Sequence, residues 1–143
     1  MATYYSNEIT ANYTTRENPS GNFDVYGKFT LTAALEAGDV IQMCKVPRYC
    51  KVLSMELYCD DLDSGGTPSI TLDVGDGGDA DRFAEAITIA QTGGFMRGIQ
   101  TEAGFGYRYT DAADTIDITV NAAPATGAET GDIVLALTLC MDN

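Results

Sequence analysis

The chain has 143 residues, 45% of them hydrophobic, and its 21 acids against 8 bases give a net charge of −13, with no histidine and no tryptophan. That length suits one domain able to fold without disulfides or metal, since a compact chain of this size buries roughly 68–70% of its unfolded surface. The charge leaves no basic footprint for nucleic acid or an anionic membrane, and favours a cationic protein patch or a divalent cation as partner.

The N-terminus lacks the basic and apolar regions of a signal peptide, and no apolar run approaches the ~20 residues of a membrane span. A soluble protein made in the cytoplasm is expected. Residues 1–22 read as an extended N-terminal arm. Tyr4, Tyr5, Asn7, Asn12, Tyr13, Asn18, Pro19 and Ser20 give it polar character and little periodicity, with too few apolar residues for a core. Its tyrosines offer large faces with a hydroxyl handle to a partner, and the bland alternative is a disordered terminus.

From Phe23 to the C-terminus, residues 23–143, the pattern is strand after strand. Phe23, Val25, Phe29, Leu31, Ala33 and Leu35 alternate with polar residues, and Glu36-Ala-Gly-Asp39 turns the chain into a strand at Val40 to Val46. Pro47 breaks that strand, because proline cannot donate to an interior ladder. Lys51 to Cys59 follows, with Leu53, Met55, Leu57 and Cys59 expected on the core face. Asp60 to Pro68 is a turn cluster, and Ile70, Leu72 and Val74 mark the next strand. Ala80 to Ala90 suits a short helix or a strand with a bulge. Tyr107-Arg-Tyr109 is a weak strand, whereas Thr115–Val120 and Gly131–Met141 alternate cleanly. About eight strands with turns every 8–12 residues describe an all-β protein. The expected fold is an antiparallel β-sandwich of jelly-roll type.

The loop after the Ile70 strand is nearly all aspartate and glycine. Asp73, Asp76, Asp79 and Asp81 have the oxygens for a calcium site, but no bidentate glutamate closes the loop and glycines stand where ligands would alternate. The competing reading is a tight turn, with glycines at positive φ, Asp76 and Asp79 bonding nearby N–H groups, and Arg82 neutralising one acid. Asp60, Asp61 and Asp63 would complete a metal site only if the two loops share an end of the sandwich. Otherwise they are a solvated turn.

Cys44, Cys50, Cys59 and Cys140 have no Cys-x-x-Cys spacing, which argues against zinc, and free thiols are expected. Without histidine a serine or cysteine nucleophile lacks its usual base, so no enzyme is expected.

The segments Val25–Leu35, Ser69–Phe83 and Asp114–Val120 resemble a family of small tailed-bacteriophage capsid cement or decoration proteins. The resemblance runs from about Asp24 to the C-terminus and rests on turn and strand patterns. It implies a structural virion protein, made in the host cytoplasm, on the outer capsid surface. There it would stabilise the lattice of the major capsid protein and form a homotrimer at three-fold positions. Tyr4, Tyr5, Tyr13 and Arg16 would be partner contacts. An independent hint of self-association is the outward face carrying Val52, Ser54, Glu56 and Tyr58 with Val134, Ala136, Thr138 and Cys140, where Glu56 is the only charge. Alternatives are a calcium-dependent carbohydrate-binding module, which would use the Asp/Gly loop, and a head–tail or tail component.

Overall fold

The computed structural model describes residues 1–10 and 21–141. In chain order the elements are β1 (Thr3–Tyr5), α1 (Asn7–Thr10), β2 (Asn22–Thr30), β3 (Val40–Val46), β4 (Cys50–Cys59), β5 (Thr71–Asp76), β6 (Ala84–Ile87), a 3-10 turn (Ile89–Gln91), β7 (Gly94–Arg97), β8 (Arg108–Tyr109), β9 (Asp114–Ala122) and β10 (Asp132–Met141). One sheet has the order β1-β3-β9-β5-β6. The other runs β2-β10-β4-β7, with β8 also paired to β4.

The main pairings nest. β2 pairs with β10, β3 with β9, β4 with β7 and β5 with β6, all antiparallel. The chain is thus one long hairpin, bent between β5 and β6 and folded over into two facing sheets. Period-two alternation puts Val25 and Phe29, Ile41 and Met43, Ile116 and Ile118, and Ile133, Leu135, Leu137 and Leu139 into one core. Each such aliphatic side chain contributes roughly 1.5–3 kcal/mol on burial. The expected β-sandwich is what forms.

Three local features refine the expected pattern. In β4, Val52 is buried and Leu53 is 40% exposed, the reverse of the simple parity. The register against β10 shifts between Thr138 and Leu139, and a bulge of this kind exchanges the two faces. Ala80–Ala90 divides into β6 and the 3-10 turn, with Ala86 at φ +49 and a register shift in β5 between Leu72 and Val74.

The third concerns the first part of the expected arm: residues 1–10 pack on their own sandwich. β1 adds to β3 in parallel, and Ala2 N donates to the buried Asp39 Oδ1 at 2.7 Å. The Ser6 hydroxyl donates to Met43 O at 2.5 Å, Lys45 N donates to Glu8 Oε2 at 3.0 Å, and Lys28 N donates to Asn7 Oδ1 at 2.7 Å. What ties this segment down is polar contact, which hydropathy does not register.

Candidate functional site

The acidic loop leaves β5 at Asp76, whose carboxylate is occupied on both oxygens. Oδ1 accepts Gly78 N and Asp79 N, each at 2.9 Å, and Oδ2 accepts Arg82 Nε at 2.6 Å and the Tyr109 hydroxyl at 2.8 Å. Burial alone would raise the Asp76 pKa, but its bonds from Arg82, Tyr109 and Gly78 outweigh that and hold it below the usual carboxylate range. Burial first, and then the bond to Asp76, push the Tyr109 hydroxyl far up, so it stays a donor. Gly75 makes the fold-back possible, since a Cβ there would meet Asp79 O at 2.1 Å. Asp73 Oδ1 instead accepts Ala86 N at 2.7 Å, and Asp79 lies 3.7 Å from Arg82 Nη1. Among the described residues no group of three or more Cys, Asp or Glu is placed to hold a metal ion. The arrangement does the chemistry of a turn: it binds its own backbone.

Asp63, nearly inaccessible, organises the other end of β5. Its oxygens accept Ser69 N (2.7 Å), Ile70 N (3.2 Å), Ala125 N (2.8 Å) and Thr126 N (2.9 Å), joining two loops far apart in sequence. Burial opposes ionisation, yet these donors keep the carboxyl well below its ordinary value. Asp61 Oδ1 accepts Asp63 N, and Asp60 Oδ2 accepts Asp132 N. The two acidic clusters therefore stand at opposite ends of β5 and do not share a site.

A third acid, Asp117, was not singled out from sequence. It pairs across β5 with Gly75, and the Asp79–Ala80 backbone lies where a side chain at 75 would stand, so the loop covers Asp117. Its Oδ1 is buried without a hydrogen-bond partner, and burial pushes its pKa to about 6.

The outer face of the β2-β10-β4-β7 sheet mixes aromatic and aliphatic side chains with charged and hydroxyl ones. Tyr26 is 54% exposed there, and Tyr58 stacks on Phe95 with ring centroids 5.0 Å apart. On it Lys28 lies 3.1 Å from Asp132 and Arg97 lies 3.8 Å from Glu56, while Asp24 accepts the Thr138 hydroxyl. Val134, Ala136, Thr138 and Cys140 are half-buried on it as the alternation implies, while Leu53 replaces Val52 through the bulge.

Of the expected contact residues, Tyr4 and Tyr5 stand on opposite faces of β1. Tyr4 is half-buried and packs on Phe29 with centroids 5.4 Å apart, so it serves the fold. Tyr5 is 50% exposed. Tyr13 and Arg16 lie outside the described residues. All four cysteines are free thiols.

This fold recurs over nearly the whole chain in solved phage particles. A chain of the capsid of Ralstonia phage GP4 is 27% identical, superposes with a TM-score of 0.82, and the match covers 99% of each chain. The chain is related in structure to phage capsid proteins. A chain of the cyanophage Pam1 capsid asymmetric unit is 29% identical with a TM-score of 0.74, covering 94% of this chain and 96% of that one. A chain of the acid-stable capsid of Helicobacter pylori bacteriophage KHP30, 14% identical with a TM-score of 0.52 over 85% of this chain and 94% of that one, shares the fold alone. No protein-family model and no curated protein matches the chain.

Sequence reasoning missed Tyr109, Asp63 as a loop organiser, Asp117, and the exposed Phe95 and Phe105. For the two phenylalanines a signal existed, since each follows a glycine in a strand-poor stretch. For Tyr109 there was none, because its partner lies 33 residues away.

Proposed function

We propose that the chain is a capsid cement or decoration protein, which binds the outer surface of a phage head and stabilises the lattice of the major capsid protein. The observation that carries this reading is the end-to-end match, at 27% identity, to a chain of the GP4 capsid. A sandwich whose polar groups are spent on its own loops, with Tyr26, Phe95 and Phe105 left exposed, suits a part that works by contact. No catalytic role belongs to this reading, and no cofactor is needed, since Arg82 and Tyr109 already serve the carboxylate of Asp76.

The finer features of the reading follow from the same observations. The nested pairing of eight strands, outermost with outermost, is the order of a jelly roll. A homotrimer uses the outer face of the β2-β10-β4-β7 sheet, where Tyr26 and Phe95 are exposed and Lys28 and Arg97 lie beside Asp132 and Glu56. Of the N-terminal contacts, Tyr5 remains accessible, and Tyr13 and Arg16 join it as partner residues.

Adding the purified chain back to heads that lack it tests the reading. Saturable binding, with heads that then survive higher temperature or lower ionic strength, is the expected result. Failure to bind heads, or binding to isolated tails, rejects the role and favours a tail component.

A further inference from the structure

The segment 98–107 joins β7 to β8 along the edge of β4, and it is tied down along its length. Gly98 N donates to Met55 O at 2.7 Å, and Gln100 N to Phe83 O at 2.8 Å. The Thr101 hydroxyl donates to Arg82 O and accepts Gly104 N at 3.1 Å. Phe105 N reaches Glu102 O and Tyr107 N reaches Gly104 O, each at 3.2 Å, while the Arg82 guanidinium lies over the Tyr107 ring at 3.7 Å. Gly104 cannot carry a side chain, because a Cβ would stand 2.5 Å from Arg82 O and 2.6 Å from Phe83 Cδ1, and Gly106 sits at φ +75.

This bonding holds Phe105 at the tip with 77% of its surface in water. A large aromatic on a loop that is already ordered binds with little further entropy loss, which is how interface anchors act. Phe95, equally exposed, stands on neighbouring β7, and an open groove of about 480 Å³ beside it is lined by Ile87, Ile89 and Met96.

The charge around this flank identifies the kind of partner. Glu102 lies within the 98–107 segment, Asp79 and Asp81 in the loop that it bonds at Arg82, and Glu85 on the groove. Arg82 is committed to Asp76, and Arg97 lies 3.8 Å from Glu56. The acids crowd one another: its hydrogen bond with Asp79, and then the charges of Asp79 and Glu85, raise the Asp81 pKa. A second copy of a −13 chain would add to that repulsion, whereas lysine or arginine side chains relieve it.

We propose that Phe105 is a preformed hydrophobic anchor, inserting into an apolar socket with a lysine- or arginine-bearing rim on a different protein. This rests on the function proposed above, in which that protein is the capsid shell. The Phe105 tip stands beyond the sheet face assigned to self-association, which the flank meets at Phe95 and Arg97, and away from the N-terminal segment on the far edge.

Co-sedimentation of the full chain with heads lacking it tests the anchor. Phe105→Ala is expected to weaken binding about 30-fold or more, the size of a hot-spot truncation, with an unchanged melting temperature because the ring is exposed. Asp81→Lys with Glu85→Lys is expected to weaken binding more at low than at high salt. If the unaltered chain fails to bind heads, the proposed function falls. If it binds and Phe105→Ala binds within about twofold, the anchor falls and the function stands. A Phe105→Ala chain that keeps its capsid affinity but has a smaller mass by light scattering makes the occupant a second copy, and overturns the proposal.

Discussion

Arg82 Nε donates to Asp76 Oδ2 at 2.6 Å, with only 15% and 2% of the two side chains accessible. The pair locks the end of β5 to the loop that covers the neighbouring sheet face, and through Tyr109 to β8. Removing one partner of a buried pair strands the other charge. Arg82→Ala is therefore expected to lose about 3 kcal/mol, read as a lower urea midpoint with an unchanged slope. Because the folded Asp76 pKa is depressed, this stability is present above the ordinary carboxylate range and is lost as pH falls through the folded value.

Deleting residues 1–10 tests whether they belong to the sandwich. The deletion removes partners from Asp39, from Met43 O and from Lys45 N, about 1 kcal/mol for each lost bond, so a loss of about 3 kcal/mol is expected in urea unfolding. A truncated chain of undiminished stability would make the segment a free arm.

The strands were legible because most have one buried face. The alternation in β9 and β10 states that face directly, and the structure keeps it. The Asp/Gly turn was legible in part: Asp76 holds its own backbone and Arg82 neutralises an acid, because that chemistry is local. Gly75, Gly77 and Gly78 do not take the expected positive φ, and the backbone bonds fall to Asp76 and not to Asp79. Two kinds of feature were hidden. A bulge against Thr138 and Leu139 shifts the parity of β4, and one strand's own residues do not announce it. Long-range polar ties, such as Asp63 to Thr126 or Ser6 to Met43, carry no periodicity.

Asp117 makes the opposite pH prediction to Asp76. Burial lifts its folded pKa to about 6, above the ordinary carboxylate value, so ionising it in place opposes folding at neutral pH, and that penalty fades as pH falls from about 6 toward 4. Asp117→Asn is expected to stabilise the chain at pH 7 by up to about 3 kcal/mol and to match the parent near pH 4. Urea unfolding of both proteins across that range checks it, and a difference independent of pH would contradict it.

The thiols should differ in reactivity. Burial raises Cys59 to about 12 and Cys50 to about 11, and it pushes buried Cys44 up as well, while Cys140 is half-buried near the chain end. Alkylation of the native protein at pH 8 is expected to modify Cys140 first, by peptide mass mapping, with the others reacting only on unfolding.

The most direct measurement of the proposed role is a cryo-electron microscopy reconstruction of the phage head with this chain bound. The role predicts density of this sandwich on the outside of the shell, at three-fold or quasi-three-fold positions, in contact with the major capsid protein. Density on the inner surface, at the head–tail junction or along the tail would contradict it.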